Sequence, residues 1–127
     1  MLNITIKTIP HNEQRYETIG DYQELPNNKL LVTVSDMGDT YKELLVAVHE
    51  LCEYYVCRIR GIEEPDIAAF DKQYEVNRAE DDLTSEPGDD PKAPYRREHR
   101  FAENIERQLC HELGLDWGEY EKTVYSL

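Results

Sequence analysis

The chain predicts an α+β fold: a small N-terminal sheet of about three strands, mostly antiparallel, packed on three main helices. Three observations carry this. Leu2 to Ile9 alternates apolar and polar residues, the mark of a half-buried strand. Lys29 to Ser35 is a second β-rich run, with turn residues Pro26-Asn27-Asn28 before it. From residue 40 onward, apolar residues recur at helical spacing, with glycines at 61 and 114 as stops.

The elements follow in order. Pro10-His11-Asn12-Glu13 reads as a turn, and Tyr16 to Ile19 as a returning strand. The sheet thus fills residues 1–35. Asp39 or Thr40 caps a helix over 40–60, with Glu43 three residues after Thr40 as a capping box requires. Tyr41, Leu44, Leu45, Val48, Cys52, Tyr55, Val56 and Ile59 form its apolar stripe. Pro65 and Asp66 suit the first turn of a second helix over 64–78. Residues 79–94 hold six acidic residues, three prolines and a glycine, and read as an acidic loop. A third helix spans 95–113, with Phe101, Ala102, Ile105, Leu109 and Leu113 on one stripe. Residues 114–127, with Trp117, Tyr120 and Tyr125, form a C-terminal cover. At 127 residues this is a single domain.

The net charge is −13, from 27 acidic and 14 basic residues. That balance argues against nucleic acid and anionic membranes as partners, because both are bound through Lys and Arg. It suits a bound cation, or a peptide or basic protein partner. Cys52, Cys57 and Cys110 are an odd number without scaffold spacing, which predicts free thiols and a cytoplasmic chain. No signal peptide or apolar membrane span is read.

The chemistry concentrates at His49-Glu50-Leu51-Cys52-Glu53, an H-E-x-x-E on the first helix. Residues four apart share a face, so His49 and Glu53 point the same way, with Glu50 about 100° aside. On this reading His49 sits on the margin of the apolar stripe and Glu53 just beyond it. The third helix repeats the arrangement: His99 is followed by Glu103 and Glu106, and Glu98 falls within the apolar stripe, where a carboxylate costs several kcal/mol unless paired or ligating. Two such helices can converge on one divalent ion, zinc or another. His49, Glu53 and His99 give the two-His, one-carboxylate set of catalytic zinc, with Glu50 as a general base toward a water on the ion. Asp89, Asp90 or Glu103 would close the site as a fourth ligand. The competing reading is that the His/Glu pairs only tie helices together, with Arg60 neutralising Glu53 or His99 pairing with Glu103 or Glu106.

A strand, a short loop and an H-E-x-x-E helix, in that order, resemble the arrangement in zincin-like metallopeptidases, although Glu53 stands where those carry a second His. Glu86-Pro87-Gly88-Asp89-Asp90-Pro91-Lys92-Ala93-Pro94-Tyr95, then Glu98 to Arg107 and Leu113 to Trp117, resemble a pattern in small uncharacterised bacteriophage and prophage proteins. The resemblance covers about Leu30 to Tyr120 and implies that His49, Glu50, Glu53 and His99 act together. Two alternatives belong to other classes. Glu50/Glu53 with Asp71/Glu75 imitate the magnesium-binding acids of all-helical nucleotide pyrophosphohydrolases. A non-enzymatic acidic accessory protein, or a nucleic-acid mimic, would use charge alone.

Overall fold

The computed structural model describes residues 1–127 and shows an α+β fold: a three-stranded sheet and four helices. The strands are β1 (Asn3–Ile9), β2 (Gly20–Leu25) and β3 (Lys29–Ser35), in the order β1-β3-β2. β2 pairs antiparallel with β3, whereas β1 pairs parallel with it, Ile4 opposite Leu30. The sheet is therefore mixed rather than mostly antiparallel. The reason lies in residues 14–19. They do not form the expected returning strand. A short 3₁₀ turn at His11–Glu13 is followed by irregular backbone that carries the chain past β3 to its far side. There Gly20–Leu25 pairs instead. The tight β2–β3 connection rests on Asn27 and Asn28, both left-handed (φ 64° and 60°), a conformation that asparagine tolerates.

β3 is central, and its Leu30, Val32 and Val34 are the floor of the core. Over them lies α1 (Thr40–Ile59), capped by the Asp39 carboxylate, which accepts from the amides of Tyr41 and Lys42. Glu43 does not close a capping box; it accepts from Met37 N. Gly61, at φ 75°, ends the helix as expected. α2 (Glu64–Asn77) and α3 (Arg96–Glu112) follow, and the C-terminal cover contains a fourth helix, α4 (Trp117–Tyr125), capped by Asp116.

The buried face of α1 is not the expected stripe. Tyr41, Leu44, Tyr55 and Ile59 are exposed, Ile59 by 85%, while Leu45, Val46, Ala47, His49, Glu53, Tyr54 and Cys57 are buried. The helix is rotated so that its most apolar side faces out and its His/Glu side faces in. On α3, likewise, Phe101 is exposed while Glu98, His99, Ala102, Glu106 and Cys110 are buried. α1 divides its inward face between core residues (Leu45, Val46, Ala47, Tyr54, Cys57) and the pair His49 and Glu53, and it is across these ionisable groups that it meets His99 and Glu106 of α3.

The acidic loop does not hang free. Arg78 clasps it from the end of α2, bonding Asp82 O and Ser85 O, and Gly88, Ala93 and Tyr95 are buried. No helix is long and apolar enough to cross a membrane.

Candidate metal centre

His49 and Glu53 project from adjacent turns of α1, and His99 projects from the first turn of α3 across the interface. Their inward atoms form a near-equilateral triangle. His49 Nε2 to Glu53 Oε2 is 3.2 Å, His99 Nδ1 to Glu53 Oε2 is 3.1 Å, and His49 Nε2 to His99 Nδ1 is 3.3 Å. These three residues, all buried, are placed to hold a metal ion. A tetrahedral ion with bonds of roughly 2.0–2.1 Å separates its ligand atoms by roughly 3.3–3.4 Å. The triangle therefore matches one face of such a tetrahedron to within a few tenths of an ångström.

Each donor is held from behind. His49 Nδ1 donates to Glu106 Oε1 at 2.7 Å, and Glu106 Oε2 accepts from the Tyr120 hydroxyl at 2.5 Å. His99 Nε2 donates to Glu86 Oε2 at 3.1 Å. The Tyr22 hydroxyl donates to Glu53 Oε1 at 3.0 Å. With their outer nitrogens protonated toward carboxylates, the neutral imidazoles turn His49 Nε2 and His99 Nδ1 inward as lone pairs, beside a carboxylate oxygen. Outer carboxylates of this kind fix the tautomer and basicity of histidine ligands. Three electron-rich atoms at this spacing repel one another unless a cation lies among them: a metal ion, or protons on the imidazoles.

The electrostatics show the proton-filled alternative. Burial by itself would lower His49, but its bonds to Glu106 and Glu53 reverse this and hold it well above the ordinary histidine value. His99, opposed by burial in the same way, is raised to about 10 by Glu53 and Glu86. Burial would raise Glu53, but the two imidazoles bring it down to about 2. Metal and protons thus compete for one nest of lone pairs.

Glu50 lies half-buried in the wall of a cavity of about 320 Å³ that also exposes His49, Glu53 and His99. Burial, and then the charge of Glu53, pushes its pKa well above the usual carboxylate value, as suits a group that must accept and return a proton. Gly20 makes room for it. A Cβ there would stand 2.6 Å from Val46 Cγ1 and 2.8 Å from Glu50 Oε1. Gly88 does the same on the other side, where any side chain would enter the His99 ring.

The remaining expected residues separate cleanly. Glu106 backs His49 as described. Asp89 stands 4.0 Å from His99 Nε2, behind the ring and grouped with Glu86 rather than with the triad. Asp90 accepts from Lys92 N in a turn and is no ligand candidate. Glu103 lines the cavity but lies outside the triad. Glu98 is the partner of Arg60, at 2.7 Å, so Arg60 neutralises Glu98 and not Glu53. Asp71 also lines the cavity and accepts from the hydroxyls of Tyr95 at 2.5 Å and Tyr16 at 3.1 Å, and Glu75 is paired with Arg78 at 2.8 Å, so this second acidic pair already has donors. The cysteines are free and none joins the metal-ligand group. Glu86, Tyr22 and Tyr120 were not singled out from the sequence. The only sequence signal was that Glu86 opens the Glu-Pro-Gly-Asp segment.

Comparison with protein-family models, with curated proteins and with solved structures gives no match.

Proposed function

We propose that this protein is a zincin-like, metal-dependent hydrolase in which His49, Glu53 and His99 hold a divalent ion, zinc by its ligand chemistry, and Glu50 serves as the general base. The triangle of inward donor atoms, 3.1–3.3 Å on each side, carries this reading. The ion would supply Lewis acidity and a water of lowered pKa in its open position. Glu50, on the cavity wall, would take up a proton from the attacking water and would return it to the leaving group as the bond breaks, so that one water is consumed and no redox partner is needed. Tyr22 keeps Glu53 oriented, and Glu106 and Glu86 keep both imidazoles turned inward. The H-E-x-x-E order along α1, after a strand and a short loop, supports the zincin-like assignment, and the likeness to small bacteriophage and prophage proteins belongs with it.

The test is metal content. Protein refolded with zinc and dialysed is expected to retain about one ion per chain by elemental analysis, and His49→Ala and His99→Ala to retain none. Glu50→Gln is expected to keep the metal and lose hydrolysis. Wild-type protein that stays metal-free after exposure to zinc, cobalt and manganese overturns the proposal.

A further inference from the structure

The outward side of α1 is apolar and free of acid. Tyr41, Leu44, Val48, Leu51, Tyr55 and Arg58 recur there at alternating spacings of three and four. That is the seam along which one helix packs on another in a coiled coil. Tyr41, Leu44 and Tyr55 are exposed by 59%, 42% and 46%, and Ile59 flanks them. Single apolar residues in water are ordinary, whereas a continuous row marks an interaction surface. The chain carries 27 acidic residues, yet none stands on this seam. The three glutamates of α1 are engaged elsewhere: Glu43 accepts from Met37 N, Glu50 lines the cavity and Glu53 is buried.

The sheet extends the same surface. Ile4 and Ile6 share a side of β1 with Thr8, whose hydroxyl reaches Glu43 of α1 at 3.5 Å. They therefore lie on the helix side of the sheet, exposed by 39% and 48%. At about 200 Å² for a whole large side chain, the exposed parts of Ile4, Ile6, Tyr41, Leu44, Tyr55 and Ile59 present about 600 Å². With Val48, Leu51 and Arg58 added, this approaches the roughly 800 Å² that each partner contributes to a standard stable interface.

The seam is complementary to itself. Two copies laid antiparallel about a two-fold axis bring Leu44 level with the partner's Tyr55, Val48 with the partner's Leu51 and Tyr41 with the partner's Arg58. Each layer joins a larger side chain to a smaller one, or a guanidinium to an aromatic ring, a favourable pair. Arg58 bonds only the Tyr54 hydroxyl within its own chain. The antiparallel arrangement carries it to the start of the opposite helix, where Asp36 and Asp39 are engaged only with backbone amides. A parallel pair would instead set Arg58 against Arg58. We propose that the protein is a two-fold homodimer in which α1 packs antiparallel on α1 of a second copy, with Ile4 and Ile6 of β1 widening the interface. The cavity opens on the other side of α1, so both candidate metal centres stay accessible, and the helix that bears His49 and Glu53 is braced from behind. This goes beyond the hydrolase reading and does not depend on it.

The test is sedimentation equilibrium of metal-free and zinc-loaded protein across micromolar concentrations. A dimer is expected in both forms. Leu44→Lys and Tyr55→Glu each bury an unpaired charge in the seam and should raise the dimer Kd by at least about 30-fold. Both residues are already half exposed, so circular dichroism and zinc retention should stay as in the wild type. The double variant Leu44→Lys/Tyr55→Glu sets each lysine against a glutamate of the other copy and should recover most of the lost affinity; within one chain the two positions are three turns apart and do not meet. A wild-type protein that stays monomeric overturns the inference, as does a dimer indifferent to Leu44→Lys. Dissociation of both single variants without rescue in the double overturns the antiparallel register. None of these results bears on metal binding, which is read separately by zinc content.

Discussion

Replacing Glu106 with glutamine tests whether the groups behind His49 serve a metal or merely a fold. Glu106 is buried, accepts from His49 Nδ1 at 2.7 Å through Oε1, and from Tyr120 at 2.5 Å through Oε2. The amide keeps the volume and can still accept one bond from His49. It removes the charge that makes His49 basic, and its NH₂ forces Tyr120 to turn from donor to acceptor. Loss of such an outer carboxylate typically weakens a metal site by about 10–100-fold, equivalent to roughly 1.4–2.7 kcal/mol. The metal-free protein suffers as well, because His49 there is a buried cation losing a charged acceptor, worth about 1.5–3 kcal/mol. The two effects are separable. Zinc affinity is read by competition with a chromogenic chelator at pH 7.5, and metal-free stability by urea unfolding. Expected are both a 10–100-fold weaker Kd and a lower unfolding midpoint. A midpoint that falls while the zinc Kd stays within two-fold would refute the reasoning, because Glu106 would then stabilise only a proton-filled pair.

The other predictions are more compact. Gly88→Ala should weaken zinc binding and cost about 1–3 kcal/mol, since the new methyl group enters the His99 ring; unchanged thermal melting with unchanged affinity would show that the loop does not press on the ligand. Arg60→Met should destabilise by about 1–2 kcal/mol, discounted because Arg60 is 39% exposed, by orphaning the buried Glu98; zinc affinity should not move, and a loss of metal would mean Glu98 takes part in the site. For the metal-free protein, the stability owed to His99 is complete below its unfolded pKa near 6.5 and is lost as pH rises toward about 10. That owed to Glu53 is complete above 4.5 and lost as pH falls toward about 2. Zinc needs the imidazoles neutral, so the thermal shift it produces should be small at pH 5 and large at pH 8; a shift independent of pH would place the ion elsewhere. Asp71, raised to about 7 chiefly by burial, works the other way from an ordinary carboxylate. Its ionisation destabilises the fold by up to about 4 kcal/mol as pH climbs from 4 to 7, and Asp71→Asn should flatten that slope in urea titrations.

The sequence reading was most accurate where chain-local rules decide the outcome. Asp39, one of the two caps read for α1, Gly61 and Gly114 as stops and Pro65 in a first turn all stand where local chemistry puts them, although the capping box read from Thr40 to Glu43 does not form. It failed where a distant partner decides. Alternation in Leu2 to Ile9 identifies a strand but carries no information on its neighbour, so the parallel pairing of β1 with β3 was invisible. The rotation of α1 is a failure of the same kind. Periodicity assigns the apolar side to the core, yet Tyr41, Leu44, Tyr55 and Ile59 are exposed because the opposite side carries the residues that must meet α3.

That rotation bears on the metal reading itself. Turning α1 so that His49 and Glu53 are buried leaves Leu44 and Ile59, with Tyr41 and Tyr55, exposed, which is costly on hydrophobic grounds: a large aliphatic side chain left fully in water forgoes about 1.5–3 kcal/mol. Buried carboxylates add several kcal/mol more unless they are compensated. Hydrogen bonds among His49, His99, Glu53, Glu86 and Glu106 offset part of this, at about 1.5–3 kcal/mol for each charged bond. Structural zinc contributes on the order of 10 kcal/mol in small domains, enough to cover such a deficit in one interaction. The motif spacing brought His49, Glu50, Glu53 and His99 to notice; the orientation of the helix that bears three of them supplies the thermodynamic reason to expect an ion there. If the reasoning is sound, α1 should be the element most affected by chelation. Hydrogen exchange should show its inward amides, around residues 49–53, losing protection when zinc is removed, while the β3 amides between Leu30 and Val34 keep theirs. Equal protection of both elements with and without metal would mean that the rotation is stable on protons alone.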